Sequence, residues 1–286
     1  MLPLAAEPPV VLAVQADPVP LVRRTLPDQV ARGTFAPRID TPYRQRLEQT
    51  RVVAGETARY TAERTVRFAR DGEGGFRAEV TLVAIDGGIG RRAGAMFEAG
   101  LRGLLQRTMV FHLDAAGDIR SLDGVSGHWS AYLDGLGGQQ PSGAGGDARR
   151  ARLAELTAPL RSLPPERQAR LLGSALSELI DPRAAARAGA PPQPLTREVR
   201  SPLGGRVTLT GSVRAIADAG GLVVEEENAA GVLTATRTDA AGEMQVRETR
   251  RIDPATGLIV SRVRRERIVI PAGESVITTR TTLAAE

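Results

Sequence analysis

Two carboxylate groupings could do acid–base or metal chemistry in this chain: Asp114 with Asp118, and the run Glu225-Glu226-Glu227. A hard cation wants several oxygens converging from one tight loop. A D-x-x-x-D turn supplies too few, and a strand sends successive glutamates to opposite faces. His128-Trp129-Ser130 sets the single tryptophan between a histidine and a serine. No G-x-S-x-G elbow surrounds any serine, so the triplet reads as a Trp-anchored packing point. "RVRRER" at 262–267 puts Arg262, Arg264 and Glu266 on one strand face and Arg265 and Arg267 on the other. An arginine cluster can grip phosphate. A cross-strand lattice with acids such as Glu248 accounts for the same residues. Because both faces are charged, this strand is expected near an edge or rim of the sheet.

One stretch imitates a cofactor site. "IDGGIGRRAGAMFEAGLRGLLQRTMVFHLD" reads as strand, glycine loop, helix, strand and acid. Gly88, Gly90 and Gly94 sit as G-x-G-x-x-x-G, one residue looser than the dinucleotide fingerprint. Asp114 falls where a ribose-binding acid could stand, and Arg91 or Arg92 could meet a 2′-phosphate of NADP. The strand before it alternates Arg77, Glu79 and Thr81 with apolar residues, whereas a central parallel strand is buried on both faces. This reading requires parallel pairing of 80–86 with 109–114.

Composition narrows the chemistry further. The 286 residues include no cysteine, which removes thiol nucleophiles and cysteine-ligated metals. Only His112 and His128 are available for zinc. All 38 basic residues are arginine, so Schiff-base lysines and a Walker A loop are absent. No catalytic residue, metal ligand or cofactor is expected. A net charge of +5 is compatible with anionic surfaces, but aromatics at 3% leave few platforms for stacking bases and argue against nucleic acid. No stretch reaches the roughly 20 apolar residues of a membrane span. "LPLAA" before Glu7 reads either as the tail of a signal peptide's apolar region or as ordinary extended chain.

The elements that must position these residues are mostly strands. Residues 1–42 carry eight prolines and read as an extended segment with one short edge strand at 10–14. From 43 to 122 a first meander is expected. Tyr43–Val53, then a strand with Tyr60, Ala62, Val66 and Phe68 on one face, then a strand with Phe76, Ala78, Val80 and Leu82, are joined by short turns. Arg64 is the one break in the second strand's apolar face. A helix over 91–108, striped by Phe97, Leu101, Leu104 and Leu105, is loosened by Gly94, Gly100 and Gly103. "LDAAGDI" at 113–119 and "TDAAGEM" at 238–244 each sit between strand-like runs. Aspartate opening a turn and glycine accepting positive φ is hairpin chemistry, and "DPATG" at 253–257 varies it. Residues 123–194 read as a loop and helices, one marked by Leu153, Leu156, Leu160 and Leu163, the next starting at "PPE" 164–166. Its stripe is Leu171, Leu172, Ala175, Leu176, Leu179 and Ile180. From 195 to 286 strand follows strand in a C-terminal meander.

The expected fold is therefore α+β: one β-rich domain over 43–286, a large curved antiparallel sheet, half-barrel or barrel-like, covered by a few amphipathic helices. This order of elements, the turn-rich "RIDPATGLIVS" at 251–261 and the signal-like start resemble the bacterial periplasmic lipid carriers of the LolA/LppX type. The resemblance spans about 40–283, and departs from that pattern in its two mid-chain helices and in lacking a lipobox cysteine. It implies a non-enzymatic envelope protein, periplasmic or otherwise exported, holding a hydrophobic small molecule or lipid between sheet and helices, with an envelope protein as a further partner. Tyr60, Val66, Phe68, Val80, Leu82, Phe97, Leu101 and Leu105 would line the site. Two alternatives stand beside it: a structural or protein-interaction protein with a self-filled core, and the NADP-type enzyme.

Overall fold

A computed structural model describes residues 35–72, 74–87, 101–137, 157–201, 206–234, 241–271 and 273–286. Eleven strands form one antiparallel sheet. They are β1 (Pro42–Val53), β2 (Glu56–Asp71), β3 (Gly75–Asp86), β4 (Thr108–Leu113), β5 (Ile119–Leu122), β6 (Gln193–Arg200), β7 (Arg206–Ala217), β8 (Val223–Thr234), β9 (Ala241–Asp253), β10 (Leu258–Ile270) and β11 (Gly273–Ala285). Their order across the sheet is β5-β4-β3-β2-β1-β11-β10-β9-β8-β7-β6. Both meanders are present, joined where the first strand pairs with the last, Tyr43 opposite Ala285. The sheet is open, with β5 and β6 as its edges, so the closed-barrel form of the expectation does not hold.

The turns follow the aspartate–glycine logic. Asp114 accepts hydrogen bonds from the N–H groups of Ala116 and Asp118, and Gly117 has φ 83°. Asp253 does the same for Ala255, with Gly257 at φ 73°. Asp218 repeats it for Gly220 and Leu222 between β7 and β8. The second "DAAG" lies at 239–242, its first half outside the described residues. The edge strand expected at 10–14 and the greater part of the helix expected over 91–108 also lie outside them.

What is described of that helix differs from expectation. It is helical only to Arg102, then turns; Leu105 makes a lone bridge to Leu82, and Thr108 already belongs to β4. Gly103 stands where the helix ends, and a Cβ there would lie 1.7 Å from the carbonyl oxygen of Ala131, so backbone meets backbone. Ala131 sits on α1 (Val125–Gly137), a helix that sequence periodicity did not show. Trp129 of α1 is buried and donates its Nε1–H to the Leu160 carbonyl, 3.1 Å, as a packing anchor should. The "PPE" helix starts as expected, as α2 (Pro165–Leu172) behind Pro164. Its stripe is then interrupted by Gly173, and α3 (Ser174–Ser177) and α4 (Ala184–Arg187) continue in short turns. Gly173 packs on Ile119 and Phe111, where any Cβ would collide.

One face of the sheet is buried and the other meets solvent. In β2 the even residues Tyr60 to Phe68 are buried while odd ones are partly or fully exposed. Phe35, Phe68, Phe76 and Phe111 form the centre of an apolar cluster under β1–β5, together with Leu176 and Leu179 from the helical segment. Phe35 meets Phe68 and Phe76 edge-on, with ring centroids 5.6 and 5.0 Å apart. A second cluster, built on Leu209, Leu233 and Val246, lies under β6–β9. The pairing of β3 with β4 is antiparallel, Val80 opposite Met109, which removes the βαβ unit that a dinucleotide site requires.

Candidate functional site

Val66, Phe68, Val80 and Leu82 converge in the first apolar cluster, each at most 3% exposed. Leu101 packs against its margin, and Tyr60 is buried on β2 outside that cluster. Leu105 does not join them: it is 37% exposed, because its segment has left the helix. Phe97 lies outside the described residues. A pocket of about 10 Å³ lies beside Arg187, Val213 and Glu225, no more than one water needs. A groove of about 390 Å³ opens at Thr210, Asn228 and Arg247 on β7–β9.

Between the two apolar clusters the buried face is ionic. Strand β10, expected at a rim, lies inside the sheet between β9 and β11, so its inward row Arg262, Arg264 and Glu266 is covered. The lattice with Glu248 is present. Glu248 accepts from Arg262 at 3.0 Å and approaches Arg250 at 3.2 Å and Arg264 at 3.5 Å. Arg262 also holds Glu178, just beyond α3, at 2.7 Å, and Arg264 bonds Glu266 through Nε at 2.6 Å. One row further, Glu225 is gripped by Arg250 and by Arg187 Nε at 2.8 Å, while Asp181 accepts from Arg187 at 2.6 Å and Arg250 at 3.2 Å. Arg197 closes on Glu227 at 2.7 Å. As strand alternation requires, Glu225 and Glu227 point inward, and Glu226 points outward to Arg214.

This geometry fixes charge. Burial alone would raise the pKa of Glu248; the guanidiniums of Arg262 and Arg250 overcome it and hold the carboxyl at about 2. Burial pulls on Arg262 too, and its two glutamates push its pKa above the ordinary arginine value. Such groups are locked as ions, which suits recognition of charge and not proton transfer near neutrality. Arg64 differs. It is 8% exposed, and burial, only partly offset by Glu178, lowers its pKa to about 10. On the outer face, His112 sits between Asp71 at 2.6 Å and Asp123 at 3.0 Å. His128, in α1, has its pKa lowered by burial and by Arg107. Among the described residues no group of three or more acidic, histidine or cysteine side chains is placed to hold a metal, and no helix is long and apolar enough to cross a membrane.

Sequence reasoning reached Glu248 and the inward row of β10, but not Asp181, Arg187, Arg197 or Arg250. The available signal was periodicity: Glu225, Glu227, Glu248 and Arg250 all fall on positions that continue the apolar face of their strands.

No family model matches the chain, and no curated protein matches it. Solved structures give distant likenesses. A structure titled for lipid–protein interactions in lipovitellin aligns over 87% of this chain at 11% identity with a TM-score of 0.37; the aligned part is 25% of that chain, so this one spans about a quarter of its length. An outer membrane channel from Pseudomonas putida F1 aligns over 91% of this chain and 99% of its own, at 9% identity and a TM-score of 0.19. MucB in complex with MucA(peri) aligns over 86% and 93%, at 9% identity and a TM-score of 0.14.

Proposed function

We propose that this is a non-enzymatic, exported protein of the cell envelope that binds a hydrophobic or lipid-like ligand between its sheet and its helices. The observation that carries this reading is the one-sidedness of the open sheet. Strands from both meanders bury the same face, and Ala131, Ala169, Leu176 and Leu179 of the helical segment pack on that face. A layered arrangement of this kind can part between layers without breaking a strand pair. Val66, Phe68, Val80, Leu82 and Leu101 would meet the apolar part of the ligand, with Tyr60 at the border of the ionic belt.

Native mass spectrometry of the purified protein, followed by organic extraction, tests the reading. A near-stoichiometric bound mass that extracts as lipid is expected. An apo mass that persists after an offered panel of phospholipids and fatty acids would defeat it. That result would favour a structural or protein-interaction role with a self-filled core. The second reading has its own support in the edge-on packing of Phe35, Phe68 and Phe76.

A further inference from the structure

Arg64 is a buried cation that forms no hydrogen bond or close ion pair among the described residues, and its Nη1 has no partner. Leaving a guanidinium in this state is costly, and proteins ordinarily complement it. Its surroundings are short of partners as well. Gln45 lies directly opposite on β1, 1% exposed, with an unpaired Oε1. Thr281 on β11 is 3% exposed with an unpaired Oγ1, and Arg262, opposite Thr281, has an unpaired Nε. Four orphaned polar atoms thus fall on four consecutive strands, β2, β1, β11 and β10, at neighbouring register positions. Elsewhere on the belt, Arg187, Arg250 and Arg264 each meet a carboxylate.

We infer that Arg64, with Thr281 and Arg262 Nε, forms a buried receptor for an oxyanion, a carboxylate or phosphate, carried as the head of the amphipathic ligand. This deepens the function proposed above and rests on it. The donors match: Arg64 and Arg262 supply guanidinium N–H groups and Thr281 a hydroxyl, and bonds of this charge-assisted kind are the strong ones. The apolar residues adjoin the site. Val66 follows Arg64 on the same strand face, and Leu82 pairs with Arg64 across β3, so a chain leaving the head would enter the first cluster. Segment α3 meets this spot through a long bond from Gln45 Nε2 to the Ala175 carbonyl at 3.4 Å, through buried Leu176, and just beyond its end through the ion pair of Glu178 with Arg262 at 2.7 Å.

The test is calorimetric titration of the full chain with palmitate, 1-hexadecanol and inorganic phosphate, on the wild type and Arg64→Leu. Palmitate is expected to bind at least about tenfold more tightly than hexadecanol, and Arg64→Leu to erase that difference without lowering the melting temperature. Where Arg64→Leu fails to fold, Thr281→Val keeps shape and should weaken palmitate about threefold. Equal binding of palmitate and alcohol, unchanged by either variant, overturns the receptor while the hydrophobic-ligand reading survives. Arg64-dependent binding of phosphate with no uptake of palmitate upholds the anion site and removes the lipid. No binding of any probe overturns the receptor, leaving Arg64 complemented by water alone.

Discussion

Between β2 and β5 the buried face carries Phe68, Phe76, Phe111 and Leu113; between β8 and β10 the same face carries Glu225, Glu248, Arg250 and Arg262. Both regions alternate with period two, and both keep their other face toward solvent. They differ in how the buried residues satisfy one another. The aromatic region gains from area removed from water and from edge-on ring contacts, and any apolar residue of similar volume serves tolerably. The ionic region gains only while every partner is present, because Glu248, Glu225 and Asp181 each answer two or three guanidiniums. A sheet can therefore bury charge as regularly as it buries leucine, provided opposite signs are placed on adjacent strands.

Single deletions should separate the two regions most sharply. Glu248→Leu leaves Arg250, Arg262 and Arg264 short of a shared partner and should cost about 3–5 kcal/mol or prevent folding. Phe68→Ala removes a fully buried ring and should cost about 3–4 kcal/mol. Urea unfolding of both variants checks the order. Glu248→Asp, which keeps the charge, should lose much less than Glu248→Leu in the first case. No second-site change of charge should repair the second.

Acid comes next. The carboxyl of Glu248 titrates at about 2 in the folded protein and near 4.5 when unfolded. Its folded pKa is depressed, so its contribution is complete above about pH 4.5 and fades as pH falls toward 2. That contribution is about 3 kcal/mol, and Phe68 should have no counterpart to it. Melting temperatures of wild type and Glu248→Gln between pH 7 and 2.5 should converge as the pH falls; parallel curves would show that the lattice does not govern acid stability.

The smallest effect lies on the outer face. The hydrogen bond to Asp71 raises the pKa of His112 against a desolvation penalty, and Asp123 adds to the rise. A raised pKa means that this contribution is full below about pH 6.5 and is lost as pH climbs through the folded value. In an NMR titration, Asp71→Asn should lower the His112 pKa more than Asp123→Asn does. Equal shifts would contradict the ranking of the two partners.

How much of this was legible in the chain depended on the range of the interaction. The strands of both meanders, the aspartate turns at Asp114 and Asp253 and the helix start behind Pro164 are local, and their residues announce them. The close approach at Gly103 needed Ala131, and the interruption at Gly173 needed Ile119 and Phe111, neither visible from spacing. Helix α1 was hidden by its serine and glycines, which hold no clear stripe. The rim expected for β10 failed for the same kind of reason. Charge on both faces signals solvent only if no opposite charge arrives, and here Glu178 and Glu248 arrive from other elements. Arg64 did appear in the sequence, as one cation breaking an apolar row, but nothing local says what faces it.

The seam between β1 and β11 sets the order in which such a sheet can assemble. Every other neighbouring pair of strands is consecutive in the chain, so each meander can grow hairpin by hairpin from its own turns. Among the described strand pairs, the seam alone joins distant residues, such as Gln49 and Thr279, 230 positions apart. Closing a loop of that length costs about 5 kcal/mol of chain entropy, and no single hairpin contact offsets it. Two preformed edges meeting along their full length can. Folding of this protein is then a docking of two ladders, with its rate held by the single non-local zipper. Until that zipper closes, β1 and β11 are two long open edges, each able to capture the wrong strand.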